Sequence, residues 1–91
     1  MEFEWDENKN RSNQRKHGID FDDAKQAFND KKRLIANDNR KDYGEERYLT
    51  IGSLFNVIIV VVYTLRNQTI RIISARMASK TERDRYHNIK N

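Results

Sequence analysis

Residues 54–65 read LFNVIIVVVYTL, the most apolar run of the chain. A membrane helix needs roughly 20 apolar residues, and this run is far shorter and rich in β-branched side chains. It is therefore read as a central strand. Downstream, Asn67–Gln68 supply a turn and TIRIISAR (69–76) returns alongside. Upstream, RYLTIG (47–52) alternates and ends at Gly52, and RLIAND (33–38) is a further short strand. Strands in succession with short connections give an antiparallel meander.

Before the strands, EFEW (2–5) alternates acidic and aromatic residues, as an edge strand with one wet face does. DENKNRSNQRKHG follows, with Asp6 placed to cap a helix, Gly18 placed to end it, and Glu7 and Arg11 paired at i,i+4. This segment has no apolar residue between Trp5 and Ile19, so its ends and its partners must support it. Lys9, Asn13, Lys16 and His17 share one of its faces. IDFDDAKQAFND reads as a second helix, capped by Asp20, with Phe21, Ala24, Ala27 and Phe28 at helical spacing. Ser79 and Glu82 have the spacing of a capping box, which starts a C-terminal helix near Lys80. The expected fold is α+β, an antiparallel sheet with two N-terminal helices and one C-terminal helix, in one domain over residues 1–91.

Apolar residues make up 36% of the chain and charged residues 35%, so the core must be small and drawn mainly from residues 54–65. There is no cysteine, which removes disulfides and thiolate chemistry, and two isolated histidines do not compose a zinc site. No cofactor or metal is expected. No apolar segment follows a basic start, so the expected location is cytoplasmic, without a membrane anchor. Charge is uneven: residues 1–30 hold five Lys/Arg against eight Asp/Glu, and residues 63–91 hold seven against two. An anionic partner would meet the C-terminal third.

FEWDENK, KHGIDFDDAKQAF, ERYLTIG, VVYT and IRIISARMASKTERDRY, in that order, resemble the BrnT family of toxins from bacterial type II toxin–antitoxin systems. The resemblance spans essentially the whole chain. It implies a RelE-like fold and an endoribonuclease that cleaves RNA without metal. It also implies a BrnA-like antitoxin with a ribbon–helix–helix part, in a hetero-oligomer that reaches DNA only through that antitoxin. Two positions depart from the family's pattern. FNDKKRL lacks the proline often found after the second helix, and Met77 stands where a second basic residue often follows the strand's last arginine, which removes one possible phosphate contact.

Metal-free cleavage uses the ribose 2′-hydroxyl as nucleophile on the adjacent phosphate. It needs a proton acceptor, a proton donor, and positive charge on the developing phosphorane, a task suited to arginine's planar fork. Strict alternation places Ile70, Ile72, Ser74 and Arg76 on one strand face and Arg71, Ile73 and Ala75 on the other. Arg76 at the strand end, with Arg83 and Tyr86 on the following helix, forms the expected catalytic corner, while Arg66 falls at the other end of the sheet. His17, whose imidazole can serve as acid or base, is the fourth catalytic candidate; Lys9, Lys16 and Arg71 are the candidates for holding RNA.

Each has a plainer alternative. Arg76 can pair with Glu82 or with an acid of the N-terminal helices, Arg83 can be a solvated helix charge, and Tyr86 can pack its ring with the hydroxyl in water. His17 also suits a helix C-terminus, and Glu82 serves the capping box. His87 reads as a surface residue. Trp5, Tyr43 and Tyr48 can stack on bases or pack in the fold. Two other functions fit the same residues: a non-catalytic module that binds an antitoxin and tunes repression, and a plain RNA-binding domain.

Overall fold

The computed structural model describes residues 1–39 and 44–88. Five strands, β1 (Glu2–Trp5), β2 (Leu34–Asn37), β3 (Tyr48–Leu54), β4 (Val57–Arg66) and β5 (Thr69–Met77), form one sheet in the order β1-β5-β4-β3-β2. Helices α1 (Glu7–His17) and α2 (Phe21–Ala24), the latter running on into a 3₁₀ segment over Lys25–Asn29, precede β2, and α3 (Lys80–His87) follows β5. The pairs β2–β3, β3–β4 and β4–β5 are antiparallel as expected. β1 is the exception, pairing parallel to β5 with Glu2 opposite Thr69 and Trp5 opposite Ile72. This α+β arrangement agrees with the expected RelE-like fold. Among the described residues no helix is long and apolar enough to cross a membrane.

The sheet buries both faces. On one, Ile59, Val61, Tyr63, Ile70, Ile72 and Ala75 meet Phe21, Ala24, Ala27 and Phe28 of the second helical segment, with Phe3, Trp5 and Tyr48 at the margin. On the other, Ile51, Ile58, Val60 and Ala78 form a smaller cluster that Leu34, Leu49 and Tyr86 complete. A β4 buried on both faces has no wet side, which is why residues 57–64 read as one continuous apolar run.

The predicted caps hold. Asp6 accepts from the backbone N–H groups of Asn8 and Lys9, Gly18 ends α1 at φ 71°, and Asp20 accepts from the N–H of Asp22. Glu7 turns to Trp5 Nε1 and Asn10 Nδ2, both at 3.2 Å, and not to Arg11. α2 tightens into a 3₁₀ segment after one turn where it crosses β3. A Cβ on Gly52 would lie 2.7 Å from the Ala27 carbonyl oxygen, so the close approach of these segments requires glycine there.

Two expectations for the central strands change. The turn between β3 and β4 lies at Phe55–Asn56, inside the run read as one strand, so β3 continues to Leu54 and β4 starts at Val57. The alternation assigned to β5 also breaks. Tyr63 pairs with Ile72 but Val62 pairs with Ser74, so Ile73 is the extra residue of a β-bulge. Past that bulge the faces exchange: Ala75 joins Ile70 and Ile72 in the larger core, while Arg76 stands on the α3 side opposite Val60. The all-polar α1 is supported by its ends and its partners, as expected, and it packs through amides where other helices use an apolar stripe. Asn10 Oδ1 accepts from Phe21 N–H, and its Nδ2 donates to Glu7 and Asp20.

Candidate functional site

β1 covers β5 only from Thr69 to Ile72, so among the described residues the same edge from Ile73 onward has no strand partner. α1 lies there. The Asn13 side chain substitutes for a strand: its Oδ1 accepts the Ala75 N–H at 3.1 Å, and its Nδ2 donates to the Ala75 carbonyl at 2.9 Å and the Ile19 carbonyl at 3.1 Å. This carboxamide is buried and fixes α1 in register with the bulge. Residues of the α1 face predicted from spacing alone therefore converge on a cleft of about 200 Å³, lined by Lys9, Ser12, Asn13, Lys16 and His17 with Ile73 and Ser74. Lys9 and Lys16 are exposed, and among the described residues neither takes part in an ion pair. Arg15, Lys16 and His17 form the last turn of α1, where positive charge suits the helix dipole.

Arg76 follows Ser74 by two residues on the same strand face, roughly 6.6 Å along the strand. Its guanidinium is held by Glu82 in a bidentate pair, Nη1 to Oε1 at 2.7 Å and Nη2 to Oε2 at 2.9 Å. Glu82 also accepts the Ser79 N–H at 2.8 Å while the Ser79 hydroxyl accepts the Glu82 N–H, which completes the predicted capping box. The hydrogen bonds from Arg76, reinforced by Ser79 and opposed by partial burial, hold the Glu82 carboxyl down to about 2. Arg83 folds back along the same connection and donates from Nη1 to the Ala78 carbonyl at 2.9 Å. Arg76 and Arg83 therefore share one corner, both anchored to the segment that joins β5 to α3.

Tyr86, one turn further, donates its hydroxyl to Asp30 Oδ2. Asp30 also accepts from the backbone N–H groups of Ser53 and Lys32, both at 2.9 Å. Burial followed by that bond to Asp30 pushes the Tyr86 hydroxyl up to about 12. For Asp30, burial acts upward but is outweighed by the Tyr86 hydroxyl, the two N–H groups and the Lys32 charge, which together hold the carboxyl below its ordinary range. Nothing in the sequence marked Asp30 as the tie between α3 and the end of the 3₁₀ segment, since its partners lie 23 and 56 residues away.

The remaining candidates fall elsewhere. Arg71 pairs with Glu4 on the neighbouring strand at 2.7 Å, and Arg66 lies at the far end of the sheet beside Glu45 at 3.5 Å. Trp5 packs edge-on against Phe21, Tyr48 against Tyr63, and His87 against Tyr86. Tyr43 lies outside the described residues. Ser12, Ile73 and Ser74 are the cleft residues that sequence reading missed, the last two because the bulge sits at that point of β5.

The family model described as "Ribonuclease toxin, BrnT, of type II toxin-antitoxin system" matches residues 5–82. The chain belongs to the BrnT family. The matched span contains Lys9, Lys16, His17, Arg71 and Arg76, while Arg83 and Tyr86 lie just beyond its end. Membership makes the protein a ribonuclease toxin of a type II system, with RNA as its substrate and a cognate antitoxin as its partner. The resemblance seen in the five sequence blocks is thus correct. A search of curated proteins finds no match.

Proposed function

We propose that this BrnT toxin is a metal-independent endoribonuclease whose RNA lies along the C-terminal half of β5, between the basic face of α1 and the β5–α3 corner. The observation that carries this reading is the cleft in which Lys9, Lys16 and His17 meet the bulge, with Arg76 two residues along the same strand. In this mechanism the ribose 2′-oxygen forms a bond to phosphorus as the bond to the 5′-oxygen breaks, giving a 2′,3′-cyclic phosphate and a 5′-hydroxyl. One proton leaves the 2′-hydroxyl and one arrives at the 5′-oxygen.

His17 handles a proton, since an imidazole can both accept and donate one. Arg76 and Arg83 stabilise the charge that develops on the phosphoryl oxygens. Glu82 fixes the plane of the Arg76 fork, so the guanidinium is oriented before RNA arrives. Tyr86, held protonated by its surroundings, donates to RNA at this corner by exchanging its Asp30 partner. Lys9 and Lys16 neutralise flanking phosphates, and Arg71 reaches another by exchanging its Glu4 partner for RNA. A BrnA-like ribbon–helix–helix antitoxin neutralises the toxin and carries the complex to DNA, and the single domain works in the cytoplasm.

Incubation of purified protein with single-stranded RNA in EDTA tests this reading. It predicts cleavage leaving cyclic phosphate ends, with His17→Ala lower by roughly 10²- to 10⁴-fold. Arg83→Ala and Arg76→Lys should also cut more slowly while melting close to wild type; the lysine keeps a cation beside Glu82. Intact RNA with folded wild-type protein across many substrates favours the non-catalytic, antitoxin-binding function instead.

A further inference from the structure

The sheet's two tight hairpins are built from different materials. Asn67 and Gln68 both sit at positive φ, 51° and 71°, in the two-residue turn between β4 and β5, where asparagine is a favoured residue. In the turn between β3 and β4 only the first residue has positive φ, a position that ordinarily belongs to glycine. Here it is Phe55, at φ 54° and 78% exposed. A bulky side chain in this conformation is disfavoured, and so exposed a ring gains little from the fold in return. Ser53 Oγ donates to the Phe55 carbonyl at 2.9 Å and pins the turn, so the ring is presented on a fixed support.

Beside Phe55 lies a second cleft, of about 360 Å³, lined also by Lys32, Asn56, Tyr86 and His87. Its walls are an aromatic face, a carboxamide that can both donate and accept, and an exposed ammonium beside Lys31. The acid behind it, Asp30, is occupied by three donors. This cleft adjoins the arginine corner: Ile58, in its wall, accepts the Ala78 N–H, and Ala78 in turn accepts from Arg83. A polar, cationic cleft with one exposed ring matches unstacked RNA bases, which are held by stacking and read at their edges.

We propose that the cleft at the β3–β4 turn is a subsite for one unstacked base of single-stranded RNA, stacked on Phe55 with Asn56 at its edge and Lys32 on the adjoining phosphate. The inference rests on the ribonuclease reading and adds a substrate contact to it. The test compares Phe55→Leu, apolar without a ring, with Phe55→Trp, a larger ring in the same turn. Binding is read by fluorescence anisotropy of a short labelled RNA carrying 2′-O-methyl riboses, which cannot attack, and cleavage is read on the unmodified RNA. Phe55→Leu should bind roughly 5- to 150-fold more weakly and Phe55→Trp as tightly as wild type, with both melting as wild type does.

Wild-type protein that cuts RNA, with both variants binding it equally well, overturns the subsite and leaves the ribonuclease reading intact. Wild-type protein that neither binds nor cuts RNA overturns both. Loss of antitoxin capture by Phe55→Leu at unchanged RNA affinity assigns the ring to a protein partner and overturns the subsite.

Discussion

Replacing Asn13 by alanine tests how an entirely polar helix is held. The Asn13 carboxamide serves three backbone groups, the N–H and carbonyl of Ala75 and the carbonyl of Ile19, and it is buried. Stranding a buried polar group costs about 1–3 kcal/mol. Truncation at a sheet edge admits water that satisfies part of this demand, so the lower end applies to each group and the expected loss is about 3 kcal/mol. For a domain of this size that lowers the melting temperature by roughly 12–24 °C. Urea and thermal unfolding followed by circular dichroism and by fluorescence of Trp5, which packs on Phe21 beside α1, would measure it. Lys16→Ala, one turn on but exposed, should stay within about 0.5 kcal/mol of wild type. A loss below about 1 kcal/mol for Asn13→Ala would refute the claim that this amide anchors α1 to the strand edge.

Other outcomes follow from the same geometry. The Glu82 carboxyl is held at about 2 against an ordinary 4.5, so the folded state keeps its advantage above about pH 4.5 and loses it as pH falls toward 2. That loss is at most about 3 kcal/mol, and acid denaturation of Glu82→Gln should lack it; a variant whose stability falls with acid just as wild type does would contradict this. Tyr86 runs the opposite way. Raised from 10.0 to about 12, it stabilises the fold fully below pH 10 and ceases to do so as pH rises through 12, a dependence that Tyr86→Phe should abolish. Gly52→Ala forces a Cβ to 2.7 Å from a backbone oxygen, so it should cost about 1–3 kcal/mol in urea unfolding, and a neutral result would mean that the 3₁₀ segment shifts freely.

What the sequence revealed was local. Caps at Asp6, Gly18, Asp20 and Ser79 depend on neighbours two to four residues away, and all were legible from spacing. The lysine and histidine face of α1 was legible for the same reason. What it concealed was set at a distance. The Ile73 bulge arises from how β5 registers against β4, and no residue at that point signals it. Asn13 looked like one more polar residue of a wet face because its partner Ala75 lies 62 residues away. The Phe55–Asn56 turn was hidden by the opposite fault, since phenylalanine inside an apolar run reads as strand. At the β5–α3 corner, the grouping of Arg76 and Arg83 was legible, whereas the tie from Tyr86 to Asp30 was not.

Where RNA touches the protein can be mapped directly. Titration of isotopically labelled toxin with a 2′-O-methyl RNA, followed by amide NMR, should shift the signals of Lys9, Lys16, His17 and residues 73–76 together and leave β2, at the opposite edge, unmoved. Shifts concentrated on residues 34–37, with the Ser74 and Arg76 amides unchanged, would place the substrate on the wrong side of the sheet for every role assigned above.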